Sequence, residues 1–222
     1  MYCRGGNLAT KLSADGYDTD KSAQYLSNYE RHFGNLRDEK ITLFELGVNK
    51  GGSLLMWHDY FINGTVVGLD ANPIEIETRD NRIRFYQGLQ QDLELLELIG
   101  KENAPEGFDV IIDDASHIGD FTRLSFWYLF ENCLKPGGVY CIEDWGTGYW
   151  DEWIDGKKFH TYKGRTYCHN FGMVGFVKEL VDECGMADIS REKMGSPSTQ
   201  LSRFERVEVS HGQVFVIKKQ YI

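Results

Sequence analysis

Short apolar runs alternate along the chain with amphipathic stretches, and the two periods locate its elements. Runs at Ile41 to Leu46, Thr65 to Leu69, Ile83 to Gln87, Phe108 to Ile112 and Val139 to Ile142 are bounded by polar or glycine-rich turns, as buried strands are. Between them apolar residues recur at helical spacing. Leu54, Leu55, Trp57, Tyr60 and Phe61 follow the first run, Leu93 to Ile99 the third, and Leu124, Trp127, Tyr128 and Phe130 lie within Thr122 to Leu134. Pro73 is placed to open a further helix after the second run. Lys135-Pro136-Gly137-Gly138 stops the helix before it and turns the chain into the next strand. Ahead of all these, Tyr25, Leu26, Tyr29, His32 and Phe33 fit one helical face, capped by Asp20 or Thr19. Phe171 to Cys184 reads as a last helix, and Arg203 to Val209 with Gln213 to Lys218 as a hairpin around Ser210-His211-Gly212.

Strand and helix thus alternate five times before a helix and a closing hairpin. That order predicts an α/β fold: a Rossmann-like, seven-stranded, mainly parallel sheet with helices on both faces and an antiparallel C-terminal hairpin. Residues 1–222 read as one domain. Within it, residues 1–40 form a helical segment that either packs on the sheet edge or lids the site. Residues 145–170 form a long aromatic loop, and such loops in compact domains are usually functional.

Composition narrows the classes. At 41% hydrophobic and 14% aromatic the chain can bury a sizeable core, so global disorder is excluded. A net charge of −10 argues against nucleic acid or an anionic membrane as the main partner. Five widely spaced cysteines without a CxxC pair fit a reduced, cytoplasmic setting better than a disulfide framework. The first residues have no apolar signal region, and no apolar run is long enough to span a membrane.

The chemistry gathers where apolar runs stop. Ile111-Ile112 ends at Asp113-Asp114-Ala115-Ser116-His117, and Ile142 at Glu143-Asp144-Trp145. In an open parallel sheet the ligand crevice lies outside the carboxyl ends of the strands. Two adjacent strands ending this way bring Asp113, Asp114, Glu143 and Asp144 to one crevice, with His117 a turn away. So much negative charge in a dry cleft calls for a cation, and hard oxygen donors suit Mg²⁺, Mn²⁺ or Ca²⁺ rather than zinc. Glu45-Leu46-Gly47 through Gly51-Gly52-Ser53 is a strand, a glycine turn and a helix start, the arrangement that holds nucleotide-like ligands. Asp70, at the next strand end, is placed to accept the hydroxyls of a ribose; its plainer role is to cap the helix at Pro73. Around Gln87, the polar run Gln90-Gln91-Asp92 either lines an adenine pocket or, for Asp92, caps the helix from Leu93. His117 could equally be an ordinary helix-start residue, Glu143-Asp144 a solvated strand end, and the aromatic loop local core.

These residues resemble class I S-adenosylmethionine-dependent methyltransferases through Glu45-Leu46-Gly47 to Gly51, Asp70 and Leu134-Lys135-Pro136-Gly137-Gly138. Within that superfamily the chain looks most like the metal-dependent sugar O-methyltransferases of macrolide antibiotic biosynthesis, the mycinamicin and macrocin types. The matching stretches are Thr19-Asp20-Lys21, Tyr29-Glu30-Arg31-His32-Phe33, Ser53 to Trp57, Ile111 to His117 and Ile142-Glu143-Asp144, and the likeness runs over roughly residues 17–218. Asn49 stands where the glycine motif usually has its middle glycine. Macrolide-modifying members often carry a further N-terminal domain that has no counterpart in this sequence.

The resemblance implies Asp114, Glu143 and Asp144 as ligands of Mg²⁺ (or Mn²⁺) and His117 as general base. It implies S-adenosylmethionine as cofactor, with Glu45, Gly47 and Gly51 at its methionine end, Asp70 at its ribose, and Ser53, Gln87, Asp92 and Asp113 as further contacts. Trp145, Tyr149 and Trp150 are placed to stack on a sugar or its aglycone, with Tyr29 and His32 reaching in from the N-terminal segment. The expected reaction is methyl transfer to a hydroxyl of a sugar on a natural product or glycan. A phenol or catechol acceptor is the alternative, as is a cofactor-binding protein that scaffolds a partner without catalysis. A homo-oligomer is expected from the aromatic loop.

Overall fold

In the computed structural model, residues 11–76, 80–158, 170–186 and 202–220 are described. The strands are β1 (Thr42–Leu46), β2 (Thr65–Asp70), β3 (Ile83–Gln87), β4 (Phe108–Asp113), β5 (Leu134–Glu143), β6 (Phe204–Val209) and β7 (Gln213–Lys218). The helices are α1 (Ala23–Phe33), α2 (Gly52–Tyr60), α3 (Leu93–Asn103), α4 (Gly119–Asn132) and α5 (Gly172–Met186). One seven-stranded sheet runs β3-β2-β1-β4-β5-β7-β6. The first five strands are parallel and β7 is antiparallel to both β5 and β6. The order reverses direction between β1 and β4, the switch point at which such sheets open a ligand crevice.

Alternation along the strands divides the core into two layers. Phe44, Leu46, Val67 and Ile111 pack with Leu96, Phe126, Leu129 and Phe176 of α3, α4 and α5. Leu43, Val66, Val110 and Ile112 point the other way, onto Tyr29, Phe33, Trp57 and Phe61 of and after α1 and α2. The same alternation sends strand-end acids to opposite faces. Glu45 and Glu143 fall on the α1–α2 side, and Asp113 on the α4 side.

Three boundaries differ from the sequence reading. Ser22, not Asp20 or Thr19, caps α1, its hydroxyl accepting from the Tyr25 N–H. Residues 71–76, around Pro73, are irregular, so among the described residues Asp70 has no helix there to cap. β5 begins at Leu134, so Lys135 to Gly138 lie inside it instead of in a turn. The ladder with β4 shifts register between Phe108 and Val110, and such a bulge admits proline in a strand. Lys218, at the end of β7, donates to the Phe130 and Leu134 carbonyls and satisfies the C-terminal end of α4.

Candidate active site

A pocket of about 500 Å³ opens at the carboxyl ends of β1, β2 and β4. Its floor is the turn after β1. Gly47 and Gly51 have φ of +80° and +87°, a region open to glycine and strained for other residues. A Cβ on Gly47 would lie 2.1 Å from the Asp114 carbonyl oxygen, so glycine there lets the turns after β1 and β4 touch. Gly52 does the same for the N-terminal segment, whose Asp18 carbonyl would sit 2.1 Å from a Cβ. Asp18, Thr19 and Asp20 therefore form one wall of the pocket.

Asp70 closes the β2 side. One of its oxygens accepts the Val48 and Asn49 N–H groups at 3.0 and 2.9 Å, and the other accepts Asn72 N–H at 2.9 Å. The carboxylate thus ties the glycine turn to the end of β2 while facing the pocket. Gln90 forms the far wall. Its Oε1 accepts Ser116 N–H and its Nε2 donates to Asp113, which links β3, β4 and the loop bearing His117.

The reactive edge is built from strained backbone. Among the described residues, the non-glycine positions with positive φ are Asn49, His117 and Asp144, and all three line this pocket. Such conformations cost about 1–3 kcal/mol each and persist where the surroundings hold them. The left-handed turn at Asp144 separates two adjacent acids: Glu143 points into the core and Asp144 into the pocket. His117 Nε2 lies 3.8 Å from Asp144 Oδ2 and 4.0 Å from Asp114 Oδ1. Trp153 packs edge-on against its ring, centroids 5.0 Å apart. Ligand atoms of Asp114, His117 and Asp144 all fall within 4.8 Å of one another.

Behind this edge lies a buried ion cluster. Lys21 Nζ is 2.9 Å from Glu143 Oε1, 3.0 Å from Asp114 Oδ2 and 3.2 Å from Glu45 Oε1. Burial lowers the Lys21 pKa, but Asp114, Glu143 and Glu45 together outweigh it and hold it well above the ordinary lysine value. Burial raises the pKa of Glu45 and Glu143, against the pull of Lys21. Ser53 donates to Glu45 at 2.7 Å, and the Tyr29 hydroxyl donates to Glu143. Tyr25 donates to Asp144 and touches Gly212 in the β6–β7 turn, where φ is +71° and a Cβ would collide with the tyrosine hydroxyl. Gly212→Ala should therefore displace Tyr25 and cost about 1–3 kcal/mol in urea denaturation; a loss under about 0.5 kcal/mol, the range of an ordinary surface change, would show that this contact is unimportant.

The structure brings Gly47, Ser53, Asp70, Asp114, His117 and Asp144 to one pocket. Gly51 caps α2 just behind the wall, and Glu45 and Glu143 stand beneath it on Lys21. Asp113 faces away, accepting from Gln90, Ser125 and Tyr140, with burial pushing its carboxyl up to about 7. Gln87 and Asp92 are off the pocket wall. Gln87 donates to the Ala71 carbonyl, and Asp92 caps α3 through the Leu95 N–H. His32 stacks on Phe215 beside Glu208, and Tyr29 is sealed between Phe33 and Trp57 with only its hydroxyl on Glu143. Trp145 donates to the Ser210 carbonyl, Tyr149 packs on Trp145, and Trp150 is 56% exposed. The pocket's tryptophan is Trp153 instead. The remainder of the aromatic loop, residues 159–169, lies outside the described residues.

No protein-family model matches the chain. Individual proteins do. Mycinamicin VI 2''-O-methyltransferase of Micromonospora griseorubida is 33% identical over 201 residues, 87% of this chain and 48% of that protein. Demethylmacrocin O-methyltransferase of Streptomyces fradiae is 31% identical over 201 residues, with the same coverage of 87% and 48%. The MycE methyltransferase of mycinamycin biosynthesis, solved in complex with Mg and SAH, superposes with a TM-score of 0.70 at 33% identity, over 88% of this chain and 49% of that one. The chain has the class I methyltransferase fold. Its relatives are sugar O-methyltransferases of macrolide pathways, and it spans about half the length of those it matches.

Proposed function

We propose that this chain is an S-adenosylmethionine-dependent, divalent-metal-assisted O-methyltransferase acting on a sugar hydroxyl of a natural product. The observation that carries the proposal is the convergence of Asp114, His117 and Asp144 on the edge of the pocket floored by the glycine turn and Asp70. The residues suit both groups. Asp114 and Asp144 are hard oxygen donors of the kind Mg²⁺ or Mn²⁺ accepts, with His117 beside them, and Gly47, Asn49 and Asp70 line a pocket of about 500 Å³. The MycE relative was solved with Mg and SAH at 33% identity, in keeping with this reading.

Asp114 and Asp144 would hold the divalent ion, which when bound would make a coordinated hydroxyl more acidic and orient it. Asp70 and the glycine turn would hold the cofactor's ribose and methionine ends. His117 is placed to take the acceptor's proton on Nε2, and with the cofactor bound the acceptor oxygen would bond to the methyl carbon as its bond to sulfur breaks. The His117 ring is kept in place by Trp153 and by the left-handed backbone at residue 117. Trp153 also covers the site from the loop side and shields it from water. A pocket shared by cofactor and acceptor supplies alignment, a large part of such barriers.

Purified protein with S-adenosylmethionine and a macrolide glycoside bearing an unmethylated diol sugar should give methylated product with Mg²⁺. Excess chelator should abolish turnover and leave S-adenosylhomocysteine affinity unchanged by calorimetry. Undiminished turnover in chelator would remove the metal's role, and absence of homocysteine-analogue binding would remove the methyltransferase reading.

A further inference from the structure

Lys21 is 6% exposed, and its ammonium touches acids from three strand ends: Glu45 of β1, Asp114 after β4 and Glu143 of β5. Nothing in methyl transfer itself asks for a lysine there. Asp114 is shared: Oδ2 is on Lys21, while Oδ1 faces His117. The ammonium therefore sits on Asp114, one of the two carboxylates that a divalent ion at the pocket edge would draw upon. Lys21 also directly follows Asp18, Thr19 and Asp20, which form a pocket wall.

Building on the metal-assisted reading above, we propose that Lys21 is a positioning residue that acts as the site's internal cation. It neutralises Glu45 and Glu143 beneath the pocket, and it competes with the divalent ion for Asp114, so it sets how tightly metal is held. A lysine that only tethers the N-terminal segment has the opposite signature. Losing it would loosen Asp114 and weaken metal binding, whereas losing a competing positive charge strengthens it.

The test is Mn²⁺ titration followed by the electron paramagnetic resonance of free Mn²⁺, on wild type and on Lys21→Met, Lys21→Gln and Lys21→Arg with S-adenosylhomocysteine present. Met and Gln should tighten Mn²⁺ by about tenfold or more, a unit charge at close range being worth that much even when well screened; Arg should stay near wild type. Gln can still donate to Glu143 and serves if the Met variant fails to fold. Unchanged or weaker Mn²⁺ binding in the uncharged variants overturns the proposal. Binding in those variants but not in wild type supports it while removing metal from the native reaction. Binding in none overturns both.

Discussion

Replacing His117 by alanine should lower kcat by about 10²–10⁴-fold, the range expected when a positioned general base is lost, with S-adenosylhomocysteine affinity nearly unchanged. The residue lies at the Asp114–Asp144 edge of the pocket, 3.8 Å from Asp144 and 4.0 Å from Asp114, whereas the Gly47–Gly51 turn and Asp70 would take the cofactor. Single-turnover rates and calorimetry on the same preparation separate the two effects. Mn²⁺ titration of this variant adds a distinction. If turnover falls while Mn²⁺ binding holds, His117 works as a base. If Mn²⁺ binding is lost in parallel, its imidazole is a ligand. A variant that keeps most of its turnover and its metal would show that His117 serves only the loop's conformation.

Gly47→Ala should be the most damaging small substitution in the pocket. The backbone there is at φ +80°, and the added methyl would lie 2.1 Å from the Asp114 carbonyl oxygen and 2.5 Å from the Ala115 Cα. Both obstacles are main chain, so relief requires the turns after β1 and β4 to separate. Left-handed strain and a forced backbone shift together cost about 3 kcal/mol or more. That separation also moves Asp114 away from Asp144 and His117, so cofactor and Mn²⁺ affinities should fall together. Gly146→Ala is the control: its Cβ meets nothing within 4 Å, and about 0.5 kcal/mol either way is expected. Urea denaturation of the pair checks the contrast, and a Gly47→Ala loss as small as the control's would refute the close approach.

The strands were legible because their signal is local: an apolar run that stops at an acid or a glycine marks both the strand and the end that carries chemistry. The split of Asp113 toward α4 from Asp114 toward the pocket was missed, since the run of two acids reads as one group at the crevice, although strand alternation carries it. The split between Glu143 and Asp144 was not legible, because it depends on a left-handed turn at a non-glycine residue, which no spacing announces. Lys21 was hidden for another reason. Its hydrogen-bonded partners Asp114 and Glu143 lie 93 and 122 residues away, and within its own segment it reads as one more solvated lysine. The aromatic loop has no periodicity to tell Trp153, on the pocket, from Trp150, in solvent. The helix expected at Pro73 fails because proline suits a helix start but does not compel one.

The insertion of β7 between β5 and β6 has a consequence for how the chain is made. β5 is complete at Glu143, yet its partner on that side spans Gln213–Lys218. During synthesis the edge Val139 to Glu143 therefore emerges with its ladder groups open, and stays open while some 70 further residues are added. Late, long-range closure of this kind is slow and leaves an apolar edge available to other nascent chains. The ribosome thus carries a sheet whose acid-bearing rim is already encoded, but whose β5 side awaits the strand β7.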